Sequence, residues 1–312
     1  MDFEIADQDI TEDKKYKPLD SPFSYFGSKN RISSKIIQFF PPHNAWVEAF
    51  CGSAAITFAK PPSRIEIIND IDDYIVNFFE QLRNNRDALL EAIFLTPYAH
   101  AEFMASQAND QGITKLEKAR WFVIKAMMTI NGAYGKTSAG FSYSQSYSRN
   151  NVEARVNRWN NLPERLLPIA ERLKNVRVEN KDARELLRMF IDRPATLVYL
   201  DPPYLAKRSH EYNHDENNEE FHIELLKLCN SAKCMIVLSG YKSELYDKFL
   251  SPKKGWEMSC LETSTRGTNG EDNLRQEIIW RNKYAVKALQ KARVPIKLTA
   301  TEIKNNKVNP KR

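Results

Sequence analysis

Residues 201–204 read Asp-Pro-Pro-Tyr, directly after the β-forming run Thr196 to Leu200. Pro202 and Pro203 fix φ near −65° and remove two amide donors, so the carbonyls around them stand rigid and uncommitted. A carboxylate beside a rigid carbonyl accepts both hydrogens of an exocyclic amine. The ring of Tyr204 can stack on the heterocycle that carries the amine. Ligands of open α/β sheets bind beyond the carboxyl ends of strands, which is where residues 201–204 are expected to stand. A plain strand-ending proline turn accounts for Asp201 and one proline, and leaves the second proline and the tyrosine to coincidence.

A second group of residues suits a nucleoside. "VEAFCGSAAITFAK" (47–60) reads as strand, turn and helix, with Glu48 and Phe50 near the strand end and Gly52 and Ser53 in the turn. Glycine there allows a tight turn and a close approach of a ligand to the main chain. Asp70 closes a second strand in "IEIINDID", at the spacing of an acid that takes ribose hydroxyls. The third glycine of a dinucleotide fingerprint is missing, so a nucleoside without a diphosphate fits better; S-adenosylmethionine is one. Upstream, "FSYFGSKNRI" (23–32) turns at Gly27 and presents Lys29 beside Tyr25 and Phe26, an ammonium suited to a carboxylate such as the methionine tail. A glycine corner without a ligand and a surface turn with an aromatic anchor are the bland alternatives for these two stretches.

The elements that position these groups alternate. Short β-rich runs at 45–50, 64–68, 176–179, 196–200, 234–239, 256–261 and 276–280 are separated mostly by helical patterns. That order predicts right-handed crossovers and a doubly wound, mostly parallel α/β sheet, its last two strands closing as an antiparallel hairpin. Nothing between 73 and 174 reads clearly as a strand, and the segment is too long for one crossover, so it reads as an inserted helical subdomain. The expected division is a tail at 1–20, a catalytic domain from 21–72 and 175–285, the insertion 73–174, and a basic, disordered tail at 286–312.

At 312 residues the chain can bury a full core, and 28% charged against 42% hydrophobic residues excludes a fibre or wholesale disorder. No window approaches the roughly 18 consecutive apolar residues of a membrane span. The N-terminus lacks the apolar core of a signal peptide, so a cytoplasmic protein is expected. Cys51, Cys229, Cys234 and Cys260 are scattered and read as reduced, mostly buried thiols. A net charge of +6 is compatible with a nucleic-acid partner. His210, His214 and His222 lie near acids, but their spacing fits no standard metal site and they read as solvated.

Together the motifs resemble the N6-adenine-specific DNA methyltransferases. "FSYFGSK", "VEAFCGSAA" and "DPPY" match that family's three elements in its order, and the helical insertion falls where its alpha arrangement, with the bacterial and phage Dam-type enzymes, places a target-recognition domain. The resemblance covers roughly residues 20–285. It implies a Rossmann-like methyltransferase sheet and a site-specific enzyme that moves a methyl group from S-adenosylmethionine to adenine N6 in double-stranded DNA, as in restriction-modification, without an obligate protein partner. It implies that Tyr25 and Lys29 border the methionine part, that Asp70 takes the ribose hydroxyls, and that Asp182 in "VENKDARELL" stands near the cofactor adenine. Asp201 would lie close to both cofactor and target amine, with Tyr204 against a flipped base. Ala54 stands where the family usually has a second glycine, and Ser28 replaces another.

The adenine amine is a poor nucleophile because its lone pair is conjugated with the ring. Hydrogen bonds to Asp201 and to the Pro202 carbonyl would favour rehybridisation and free that pair. DNA contacts are expected from 131–160, where Lys136, Arg149, Arg155 and Arg158 interleave with aromatics including Tyr143. Residues 263–272 read as a hairpin loop. Methylation of cytosine N4 or RNA is the nearest alternative, a protein glutamine a more distant one, and a non-catalytic DNA-binding protein the alternative of another class.

Overall fold

The computed structural model describes residues 16–25, 27–130, 140–143, 151–203, 219–266 and 272–295. Seven strands form one sheet: β1 (Ala45–Glu48), β2 (Ile65–Asn69), β3 (Val176–Glu179), β4 (Thr196–Leu200), β5 (Met235–Gly240), β6 (Glu257–Arg266) and β7 (Asp272–Arg281). Their order is β3-β2-β1-β4-β5-β7-β6. The first five are parallel, and β7 runs antiparallel to both β5 and β6. This is the expected α/β architecture, hairpin included. Strand order reverses between β1 and β4, which opens a crevice at their carboxyl ends.

β1, β4 and β5 are covered on both faces, which is why they are near-continuous apolar runs. On one face Trp46, Leu197, Tyr199, Met235, Val237 and Ile279 pack against α1 (Ser33–Ile37), α2 (Ala55–Ala59) and α12 (Lys283–Lys291). On the other, Val47, Val198, Leu200, Ile236 and Leu238 pack against α9 (Ala183–Phe190), α10 (Glu219–Ser231) and α11 (Glu244–Phe249).

Between β2 and β3 the chain forms α3 (Asp73–Asn84), α4 (Arg86–Phe94), α5 (His100–Ser106), α6 (Lys115–Met128), α7 (Ala154–Asn160) and α8 (Leu162–Leu173). No strand interrupts them among the described residues. The helices share the sheet's core: Phe78 and Phe79 of α3 cluster with Phe23, Phe58 and Ile68. Each such fully buried ring contributes about 1.5–3 kcal/mol over leaving it exposed. α8 is tied down by charge, since Arg172 donates to Glu66 of β2 at 2.9 Å through both Nε and Nη2.

The expected tail boundary at 286 falls inside α12. Asn282 caps this helix by accepting from the Ala285 amide at 3.0 Å, and Ala285 and Ala288 are buried against the sheet. Reading from the polar end of the chain inward hid this short amphipathic turn. Residues 1–15 and 296–312 lie outside the described residues. Among the described residues no helix is long and apolar enough to cross a membrane.

Candidate active site

The turn after β1 is built from backbone in the left-handed region. Gly52 has φ +48°, and Ala54, the residue before α2, has φ 49° and ψ 35°. A glycine is comfortable there and an alanine is strained, which gives the departure at Ala54 a conformational cost rather than only a steric one. The turn is pinned by the Cys51 amide on the Asn69 carbonyl at 2.8 Å and the Gly52 amide on Asp70 Oδ2 at 2.8 Å. Asp70 Oδ1 accepts from the Asp72 amide at 3.1 Å. The upstream turn, with Gly27 at φ 78°, folds onto this one: Ser28 Oγ and Ser53 Oγ are 2.9 Å apart, and the Tyr25 ring lies over Gly52.

Asp201 stands at the carboxyl end of β4 with each oxygen held. Ser239 Oγ of β5 donates to Oδ1 at 2.9 Å, and Tyr199 OH is 2.8 Å from the same hydroxyl. Lys29 Nζ lies 2.8 Å from Oδ2 and 3.5 Å from Glu277 Oε1 of β7. The ammonium expected to hold a ligand carboxylate is thus engaged by two carboxylates of the protein.

Beside them Glu48 ends β1, buried, with Oε2 accepting from the Thr57 amide at 3.0 Å and from the Thr57 hydroxyl. Burial pushes its carboxyl up to about 8, assisted by the charge of Asp201 and opposed by the Thr57 bonds. Burial also raises Asp70 to about 6, against the stabilising amides of Asp72 and Gly52.

Lys29, Glu48, Asp70 and Asp201 line one cleft, open to solvent and of about 870 Å³, at the switch point, with Ser239, Tyr199, Thr57 and Glu277 outside its lining. Of the expected cofactor residues, Tyr25, Gly27, Lys29, Glu48, Phe50, Gly52, Ser53, Asp70 and Asp201 line it, and so does Pro203. Pro202 is buried behind it. Asp182 is not among the lining residues, although Lys181 and Ala183 are. Its side chain instead caps α9, accepting from the Arg184 amide at 2.7 Å and pairing with the Arg184 guanidinium. Phe26 and Tyr204 lie outside the described residues, as do Lys136 and Arg149.

Sequence reasoning missed Ser239 and Glu277, which it left inside plain strand runs. Strand register is the signal that finds them. Glu48, Tyr199, Val237 and Arg281 are paired in turn across four strands and so share one face. Stepping by two puts Asp201, Ser239 and Glu277 on that face as well, so the polar residues end a row whose inner part is apolar core.

His222 is a correction. It was read as solvated, but it is fully buried in α10, with Nδ1 2.9 Å from Tyr246 OH, and burial lowers it to about 4. It lies on the apolar face of α10 with Phe221, Leu225 and Leu226, while Glu219, Glu220 and Glu224 are exposed. His210 and His214 lie outside the described residues. Three of the cysteines are buried and Cys260 is exposed.

In the helical segment, residues 140–143 are strapped to the body by a bridge from Thr129 to Phe141 and by Tyr98 OH, which donates to the Ser142 carbonyl. Tyr143 is 76% exposed there. Arg155 and Arg158 stand one turn apart on α7, whose Trp159 anchors the helix by donating to the Thr96 carbonyl at 2.7 Å. Neither arginine makes a salt bridge among the described residues.

The sequence model for the D12 class N6 adenine-specific DNA methyltransferases matches residues 25–259. The chain belongs to that family. The match begins at the cleft residue Tyr25 and ends within β6, leaving β7 outside. This adenine-specific DNA methyltransferase is also similar to a Type II methyltransferase, M1.LlaDCHI, from Lactococcus lactis subsp. cremoris, at 23% identity over 79% of this chain and 92% of that one. Among solved structures it is similar to a precorrin 8w decarboxylase from Methanobacterium thermoautotrophicum (9% identity, TM-score 0.38, 85% of this chain and 99% of that one). A second is an rRNA methylase from Streptococcus thermophilus (9% identity, TM-score 0.34, 82% and 97%).

Proposed function

We propose that this DNA methyltransferase uses S-adenosylmethionine as donor and acts at a specific site in double-stranded DNA, on an adenine flipped out of the helix. The observation that carries this reading is the position of Asp201. It is a carboxylate on a strand end at the cleft, held by Ser239 and Lys29 and followed by two prolines.

Tyr25, Gly52, Glu48 and Asp70 are the residues that would hold the donor. Their fit is supported by the Tyr25 ring, packed on Gly52 at the cleft wall, and by two carboxyl groups facing the same cleft. S-adenosylmethionine supplies a methyl group on a cationic sulfur. Asp201 and the Pro202 carbonyl accept the two amine hydrogens and localise the nitrogen lone pair, so transfer forms one N–C bond, breaks one S–C bond and leaves a proton to be lost from the amine. The contribution of these residues is positioning and electrostatics. Because N6 is paired inside a duplex, the base must leave the stack at a cost of a few kcal/mol. Tyr204 would offset part of that, stacking being worth about 1–3 kcal/mol per base. Lys136, Tyr143, Arg149, Arg155 and Arg158 are the proposed DNA contacts, within a recognition region formed by residues 73–174.

The test is transfer of labelled methyl from S-adenosylmethionine to duplex DNA, followed by nucleoside analysis, for native protein, Asp201→Asn and Asp201→Ala. N6-methyladenine from native protein only is expected. Product at the native rate from Asp201→Ala refutes the role of Asp201, and N4-methylcytosine or methylated RNA in place of N6-methyladenine refutes the substrate.

A further inference from the structure

Lys29 and Asp201 on their own form a neutral pair. An ammonium 2.8 Å from Oδ2 neutralises the carboxylate that is meant to attract amine hydrogens, and a neutral pair does little for positive charge arriving on the amine nitrogen. The structure adds a third charge. Glu277, on β7, points its carboxylate at the same ammonium from the other side, 3.5 Å away. Both Lys29 and Glu277 are buried, so their interaction is weakly screened. Lys29 also donates to the Gly27 carbonyl at 3.5 Å, which ties the ammonium to the turn that forms the cleft wall.

The register fixes why Glu277 arrives there. β7 is the antiparallel strand, so its chain runs inward from the end nearest the site: Glu277 reaches Lys29, which lines the cleft, and Ile279, paired with Ser239, lies one step deeper. Glu277 and Ser239 therefore approach Lys29 and Asp201 from adjacent strands on one face of the sheet.

We infer that Glu277 is a positioning residue for methyl transfer, acting through Lys29: it shares the ammonium with Asp201. This deepens, and rests on, the reading of Asp201 as acceptor of the amine hydrogens. Sharing the ammonium keeps Asp201 a strong acceptor. A strong acceptor at Asp201 favours the amine nitrogen when it gains the methyl group and becomes cationic, before its proton is lost to solvent. Glu277 lies beyond residue 259, outside the region matched by the family model.

The experiment is steady-state methylation of duplex DNA by native protein, Glu277→Gln, Glu277→Asp, Lys29→Met and the double variant Lys29→Met/Glu277→Gln, each with cofactor affinity and thermal midpoint measured. Glu277→Gln keeps the shape and removes the charge. It is expected to lower kcat by about tenfold or more, the effect of weakening one charged interaction in the transition state, with KM for the cofactor and the midpoint nearly unchanged. Glu277→Asp restores part of the rate. If Glu277 acts through Lys29, the double variant is no slower than Lys29→Met alone.

A Glu277→Gln protein with native kcat overturns the inference, and so does a loss confined to the midpoint or to cofactor affinity. If Glu277→Gln does not fold, Glu277→Ala at the native rate overturns it equally; where it folds, additive effects in the double variant overturn it too. Native protein that places no methyl on DNA adenine overturns the proposed function as well; native activity with an indifferent Glu277 overturns this inference alone.

Discussion

Gly52 and Tyr25 are in direct contact across the wall of the cleft: a Cβ on Gly52 would stand 2.9 Å from two carbons of the Tyr25 ring. Gly52→Ala must therefore displace that ring, in a backbone conformation, φ +48°, that alanine adopts at a cost of about 1–2 kcal/mol. The expected outcome is loss of affinity for S-adenosylmethionine by about tenfold or more, read by calorimetric titration. The reverse change two residues on, Ala54→Gly, removes left-handed strain at φ 49° and adds freedom to the unfolded chain. It should leave stability unchanged or raise it by up to about 1 kcal/mol. A clear drop in the denaturation midpoint would contradict the strained geometry at Ala54.

Glu48 links the cleft to pH. Its folded pKa is raised to about 8 from an ordinary 4.5, chiefly by burial, so the fold prefers the protonated acid. The stabilisation is complete below the unfolded value and is lost as pH rises through about 8. Glu48→Gln keeps an acceptor for the Thr57 amide and removes the titration. The variant is expected to show a flatter dependence of thermal midpoint on pH between 4.5 and 8, and a higher midpoint than native protein above pH 8. Parallel curves for the two proteins would show that Glu48 does not titrate in this range.

Arg155 and Arg158 project from a helix anchored by Trp159 and form no salt bridge among the described residues. If they meet phosphates, Arg155→Ala and Arg158→Ala weaken duplex binding on every sequence alike. Each would lower the slope of log affinity against log salt by about one. Fluorescence anisotropy at several salt concentrations checks this. A loss restricted to one target sequence would reassign the residue to base reading.

Arg172 joins α8 to β2 through Glu66, and Lys60 Nζ reaches the same carboxylate at 2.7 Å. Burial alone would raise the Glu66 carboxyl, but Arg172 and Lys60 outweigh it and hold it below the usual range. Arg172→Ala leaves a buried cluster short of one cation, and also vacates the Thr57 and Lys60 carbonyls that the guanidinium satisfies. The expected loss is about 3–5 kcal/mol in chemical denaturation. A loss below about 1 kcal/mol would mean that Lys60 alone can satisfy the site.

Much of the catalytic corner was legible before any coordinates. Prolines, glycines and β-branched runs carry their backbone consequences locally, so Asp201, Gly52 and Asp70 could be placed at strand ends from the residues around them. His222 was misread for the opposite reason. Glu219, Glu220 and Glu224 beside it in sequence are exposed, and only its place on the inner face of α10 brings it to Tyr246. The end of the chain was misjudged as well, since α12 is held by two buried alanines and one asparagine cap, too faint a pattern to stand out from polar surroundings.

By itself the sequence determined the alternation of strands and helices, the stiff acidic corner at 201–203 and the tight turn at 52, because each follows from chain stereochemistry within a few residues. Only the tertiary structure decided who stands next to whom at the cleft. The antiparallel run of β7 brings Glu277 to Lys29, the register of β5 brings Ser239 to Asp201, and the fold-back of the first turn lays Tyr25 on Gly52. Those meetings depend on strand order and pairing between distant segments, and no local propensity encodes them.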